Sequence, residues 1–156
     1  MFIEVILFGP LFTLAERMFN LRLKEELERK SGGKVQVVLP QERAVQYISE
    51  QGINFDRLFK GCLDDAVRYT AAIANLDGTD ADSGTCIEIG YRKGDDKDAY
   101  VLGFRTDFRT SEDGGLNAML RLCDEVFYYT DPFCTMENLA TQLLEKLYAR
   151  FQCIRD

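Results

Sequence analysis

The chain has 156 residues, the length of one ordinary domain, and its 46% apolar and 29% charged residues are a globular composition rather than a disordered or membrane-spanning one. Its 26 acidic residues outnumber 19 basic ones, for a net charge of −7, and an acidic chain without a basic cluster repels a phosphate backbone, which argues against nucleic acid or an anionic membrane surface as partner. There is no histidine, which removes Ser-His-Asp and Cys-His catalysis and histidine-ligated zinc in one step.

Cys62, Cys86, Cys123, Cys134 and Cys153 are odd in number, widely spaced and form no C-x-x-C pair. They read as buried free thiols of a reducing, cytoplasmic compartment. The apolar start, Met1 to Phe12, carries Glu4 and lacks a basic leader region, so it reads as a buried strand rather than a signal peptide. No run approaches the ~18 apolar residues that span a bilayer.

In chain order, Phe2 to Phe8 is a β-branched and aromatic run ended by Gly9-Pro10, a strand and its turn. Thr13-Leu14-Ala15-Glu16 has the capping-box pattern, and apolar residues follow at helical spacing until Gly32-Gly33. Val35 to Leu39 is a second strand closed by Pro40, and Gln41 to Gly52 a polar loop with a short helix. Phe55 to Arg68 reads as a helix and Ala71 to Leu76 as the third strand. The acidic loop Asp77 to Ser83 leads into a short helix through Glu88 and Tyr91, after which Arg92 to Asp98 reads as a solvated surface turn. Ala99 to Phe104 is the fourth strand, Arg105 to Gly115 a long polar loop, Leu116 to Cys123 a helix and Glu125 to Tyr129 the fifth strand. Thr135 to Phe151 closes the chain as an amphipathic helix. Five strands alternating with helices, without an internal repeat or linker, predict one α/β domain over residues 1–156: a doubly wound, flavodoxin- or Rossmann-like parallel sheet with helices on both faces. Ligands of such sheets bind beyond the carboxyl ends of the strands.

The densest chemistry lies there. Asp77, Asp80, Asp82 and Glu88 place four carboxylates within twelve residues. A calcium loop does not fit them, because Thr79 and Ala81 stand where ligands belong, and no metal is expected. Thr85-Cys86-Ile87-Glu88 is a second capping box, so Glu88 has a purely structural explanation. It has a chemical one as well: a carboxylate in a first helical turn is held ionised by the helix dipole and can act as a nucleophile at an anomeric carbon. Asp82 would then serve the leaving group, as in retaining glycoside chemistry.

At this loop the sequence resembles the nucleoside 2-deoxyribosyltransferase family. The resemblance rests on Phe8-Gly9-Pro10-Leu11-Phe12-Thr13-Leu14-Ala15-Glu16-Arg17, Leu39-Pro40-Gln41-Glu42, Ala74-Asn75-Leu76-Asp77-Gly78 and Asp82-Ser83-Gly84-Thr85 with Glu88-Ile89-Gly90-Tyr91. Arg105-Thr106-Asp107-Phe108-Arg109 and Leu116-Asn117-Ala118-Met119-Leu120 complete it. It implies that Glu88 is the nucleophile forming a deoxyribosyl ester and that Asp82 assists the leaving base. Gly9 and Phe12 would cup the nucleoside, with an ordinary core position as the alternative for Phe12. Gln41 would read the base edge, and Asp77 would bind substrate or only cap its turn. Asn117 would reach a neighbouring subunit's sugar or merely start a helix. Two positions depart from the family: Leu7 where relatives carry tyrosine, and Cys62 where they carry aspartate. The implied activity is base exchange between 2′-deoxynucleosides and free nucleobases in a cytoplasmic homo-oligomer with a shared site and no cofactor. An N-glycosidase and an inactive nucleoside-binding module are the rivals.

Overall fold

Period-two alternation of β-branched and small residues puts one side of each strand against one helix layer and the other side against the second. The computed structural model describes residues 2–109 and 116–152. Its strands are β1 (Ile3–Phe8), β2 (Val35–Val38), β3 (Ile48–Ser49), β4 (Gly52–Ile53), β5 (Ala71–Asn75), β6 (Tyr100–Arg105) and β7 (Glu125–Tyr128). Five of them form a parallel sheet in the order β2-β1-β5-β6-β7, while β3 and β4 make a separate antiparallel hairpin that the sequence pattern did not predict. The helices are α1 (Leu14–Lys30), α2 (Pro40–Arg43), α3 (Phe55–Arg68), α4 (Ser83–Asp95) and α5 (Met136–Gln152), with 3-10 turns at Ala44–Tyr47 and Ala118–Leu122.

Ile3, Val5, Leu7, Ile73, Leu102 and Phe104 pack on Leu23 and Leu27 of α1 and on Leu139, Leu143 and Leu147 of α5. Ile6, Phe8, Ala72 and Ala74 face the other way, onto Ala66 of α3, Ile89 of α4 and Leu120. The sheet is therefore doubly wound, as expected. Its strand order reverses between β1 and β5, so the switch-point crevice lies where Gly9 and Asn75 end those strands. The two ends approach so closely that a Cβ on Gly9 would come within 3.0 Å of the Asn75 Cβ.

The first capping box forms as read: the Thr13 hydroxyl accepts from the Glu16 N–H at 3.2 Å, and Glu16 accepts from the Thr13 N–H at 2.7 Å. The solvated turn at Arg92 to Asp98 does not. α4 continues to Asp95, and Arg92 is buried, donating to the carbonyls of Ala66 (2.9 Å), Tyr69 (2.9 Å) and Thr70 (3.2 Å). Those carbonyls lie at and just beyond the end of α3, where helical partners run out, so the guanidinium closes that end. Cys62, Cys86, Cys123 and Cys134 are free thiols, but only Cys123 is fully buried; Cys153 and residues 110–115 of the polar loop lie outside the described residues.

Candidate active site

α4 begins one turn earlier than the Thr85–Glu88 pattern implies. Asp82 is its N-cap, and its Oδ2 accepts from the Thr85 N–H at 2.9 Å and the Thr85 hydroxyl at 3.1 Å. Aspartate caps as well as threonine does, and capping by Asp82 lets the Thr85 hydroxyl be buried with a partner. The second capping box is therefore absent, and Glu88 is the sixth helical residue rather than part of the first turn. The helix dipole fades beyond the first turn, so it does not hold this carboxylate ionised. Burial, reinforced by the negative charge of nearby Asp82, instead pushes the Glu88 carboxyl up to about 7. The structure thus brings Glu88 and Asp82 within electrostatic reach of each other, with Glu88 poised near neutrality.

Glu88 faces a narrow cleft on the α3/α4 side of the sheet. Ile6 of β1, Pro40 and Arg43 of α2, Ala44 and Tyr47 of the first 3-10 turn, and Leu58, Cys62 and Asp65 of α3 complete its walls. Asp65 is buried and takes a two-pronged ion pair from Arg43, Nε to Oδ2 at 2.9 Å and Nη2 to Oδ1 at 3.0 Å. That pair satisfies a buried carboxylate and clamps α2 to α3. Burial raises the Cys62 thiol, and Glu88 raises it further, so Cys62 is no thiolate nucleophile. Leu7 is buried on the opposite, α1/α5 face, whereas its neighbour Ile6 lines the cleft; the Leu7 departure therefore does not touch the Glu88 cleft, but Cys62 does.

The remaining predicted residues lie outside this cleft. Phe12 is 71% exposed, which removes the core explanation for it. Gln41 is held by both ends of its amide: Nε2 donates to the Arg17 carbonyl at 3.0 Å, and Oε1 accepts from Asn20 Nδ2 at 3.3 Å. Asn20 Nδ2 also donates to the Pro10 carbonyl at 3.1 Å, so the loop after β1 and the start of α2 share one anchor. Asp77 accepts from the Thr106 N–H (2.5 Å), the Asp107 N–H (2.8 Å) and the Thr106 hydroxyl (2.7 Å). Its carboxylate latches the loop after β5 to the loop after β6, the turn-capping role of the two weighed for it. Asn117 starts the second 3-10 turn, its Oδ1 accepting from the Met119 N–H at 2.9 Å, and it is exposed, beside a separate hollow with Leu116, Leu120, Val126 and Tyr128.

Sequence reasoning missed Arg43, Tyr47, Asp65 and Asn20. Leu58, Cys62 and Asp65 recur at i, i+4 and i+7, which marks one face of α3 and was available as a signal. The other contacts join residues far apart in the chain. Among the described residues, no group of three or more Cys, Asp or Glu is placed to hold a metal ion, and no helix is long and apolar enough to cross a membrane.

Two solved structures share this architecture. A conserved protein from Enterococcus faecalis V583 superimposes with a TM-score of 0.72 at 20% identity, over 94% of this chain and 99% of that one. A 2-deoxyribosyltransferase from the psychrotolerant bacterium Bacillus psychrosaccharolyticus superimposes with a TM-score of 0.55 at 17% identity, over 85% of this chain and 95% of that one. At these identities the likeness establishes the fold. No curated protein matches the chain. The family model described as nucleoside 2-deoxyribosyltransferase matches residues 5–120, a span from β1 through Asp82, Glu88 and Asn117, and the chain belongs to that family.

Proposed function

We propose that this member of a nucleoside-acting transferase family is itself a cytoplasmic nucleoside 2-deoxyribosyltransferase, exchanging bases on 2′-deoxynucleosides through an ester on Glu88. The observation that carries the reading is Glu88 itself: a cleft-lining carboxylate poised near pH 7 beside a second carboxylate, Asp82. The reactive form of Glu88 is its carboxylate, which is substantially populated at neutral pH. A Glu88 oxygen bonds to C1′ as the C1′–N bond breaks, and the departing base nitrogen keeps that electron pair and takes a proton from solvent, with Asp82 placed to assist it. A ring nitrogen of the incoming base then bonds to C1′ as the ester bond breaks. Its proton passes to solvent, and the Glu88 carboxylate is regenerated. Two displacements at one carbon retain its configuration. No cofactor enters this sequence. Exposed Phe12, with Gly9 and Gln41, forms the base side of the site in this reading.

Chromatography of one deoxynucleoside mixed with a different free base tests it. A new deoxynucleoside is expected; free deoxyribose alone would make the protein an N-glycosidase, and an unchanged mixture would leave a binding module. The reading also gives Asn117 a role across a two-fold interface, where each subunit gives and receives one contact. Mixing inactive Glu88→Ala chains with inactive Asn117→Ala chains is then expected to restore about a quarter of the native activity, because half the dimers are mixed and each holds one intact site. No recovery in verified mixed dimers would refute the shared site.

A further inference from the structure

Gly61 stands in the middle of the 14-residue α3, where glycine is the weakest ordinary helix former apart from proline. Its neighbour explains it: a Cβ at this position would lie 1.9 Å from the Tyr47 hydroxyl oxygen and 2.5 Å from Cζ. The phenol therefore rests directly on the helix backbone, one residue from Cys62, inside the cleft that holds Glu88. With the phenol there, water-sized groups have only about 10 Å³ in the cleft, space for one water at most. Tyr47 ends the 3-10 turn from which β3 and β4 continue, and this hairpin belongs to no other sheet. Val45, Ile48 and Ile53 of the same segment are exposed. Among the described residues the Tyr47 hydroxyl has no hydrogen-bond partner, while its carbonyl accepts from the Asn54 N–H at 3.0 Å, a bond that closes the base of the hairpin and lets it move as one unit.

We propose that Tyr47 is the gate of the Glu88 cleft: seated on Gly61 when the cleft is empty, it swings out with residues 44–53 to admit the nucleoside and closes again to keep water from the sugar ester. The inference rests on the reading of Glu88 as nucleophile. Charged and titratable groups facing Glu88 are Asp82 at the start of α4, Cys62 and Asp65 on α3, and Arg43 on α2, paired with Asp65; β1 presents only Ile6. Of the residues lining the cleft, only Ala44 and Tyr47 belong to segment 44–53, and of these Tyr47 carries the bulk seated on Gly61, so its movement controls how much water reaches the carboxylate.

Three variants test the gate: Tyr47→Ala, which removes the phenol, Tyr47→Phe, which keeps its shape, and Gly61→Ala, which unseats it without touching it. Tyr47→Ala and Gly61→Ala are expected to raise the ratio of hydrolysis to base exchange about tenfold, and Tyr47→Phe to leave it near native. In the free proteins, carbon NMR should show the Glu88 carboxyl titrating about one pH unit lower in Tyr47→Ala and Gly61→Ala than in the native chain or Tyr47→Phe. Gly61→Ala should lower the melting temperature of the native chain but raise that of Tyr47→Ala, where only helix propensity remains. An unchanged ratio or an unchanged titration in folded Tyr47→Ala overturns the gate. If the native protein neither exchanges nor hydrolyses, the nucleophile reading fails, and the titration and the melting cycle still decide whether Tyr47 covers Glu88.

Discussion

Glu88→Gln is expected to end base exchange and, in the same protein, to make the fold more stable than native at pH 8. An unfolded chain lets Glu88 titrate near the ordinary carboxylate value of 4.5, whereas the folded one holds its proton to about 7. Between those values the folded state binds more protons than the unfolded state, so stability falls as pH rises, and the whole penalty is present above 7. It amounts to at most about 3 kcal/mol, less whatever the remaining exposure of the carboxylate screens. Glutamine carries no charge to bury, so it removes the penalty at pH 8 and changes little at pH 4, where the native carboxyl is protonated in both states. Urea unfolding of both proteins at pH 4 and pH 8, with an exchange assay on the same samples, separates the possibilities. A glutamate that merely supported its helix would give a variant no more stable at pH 8 and still active.

Arg105→Met should be the most damaging single change at the carboxyl edge of the sheet. Arg105 is 4% exposed and donates to the carbonyls of Leu76 (2.6 Å), Gly78 (2.7 Å) and Arg109 (2.7 Å). Methionine fills much of the volume but leaves the buried Leu76 carbonyl and two half-buried carbonyls without this donor, at about 1–3 kcal/mol for the first and less for the others, so a loss of about 2 kcal/mol or more is expected. Gly78 sits at φ 115° in the turn leading toward Asp82, and releasing its carbonyl frees the approach to the α4 cap. Exchange should therefore weaken even in the fraction that remains folded. Arg105→Lys keeps the charge but loses the planar fork and should fall between native and Arg105→Met. Denaturation midpoints check this; a loss under about 1 kcal/mol for Arg105→Met would mean that the Asp77 latch alone holds the loop.

The five strands of the parallel sheet and α3 were legible because they are short periodic runs, and local rules suffice for such runs. The start of α4 was not, because Asp82, Ser83 and Thr85 are all good N-caps within four residues. Which of them caps depends on what is buried, here the Thr85 hydroxyl. Arg92 was misread for a related reason. Arg-Lys-Gly-Asp-Asp-Lys-Asp looks like a solvated charge run, yet Thr85, Ile89 and Arg92 stand one turn apart on the inward face of α4. The spacing was visible, but the α3 carbonyls that reward an inward arginine were not. The acidic loop singled out the two carboxylates and the family resemblance added to their reading, but no local pattern could show that burial, rather than the helix dipole, sets the behaviour of Glu88. Arg43 and Tyr47 meet it from two other segments, and contacts of that range leave no periodic trace in the sequence.

The Asn20 amide has a consequence for how this chain can change over time. It holds the Pro10 carbonyl and the Gln41 side chain together, and Gln41 in turn grips the Arg17 carbonyl. Three chain segments are thus surveyed from one fixed point, and a residue inserted or deleted between Gly9 and Thr13, or next to Pro40, would move a partner out of reach. Side chains that leave this frame, as exposed Phe12 does, can be exchanged without disturbing it. The corner should therefore drift in composition at exposed positions such as Phe12 while keeping its length.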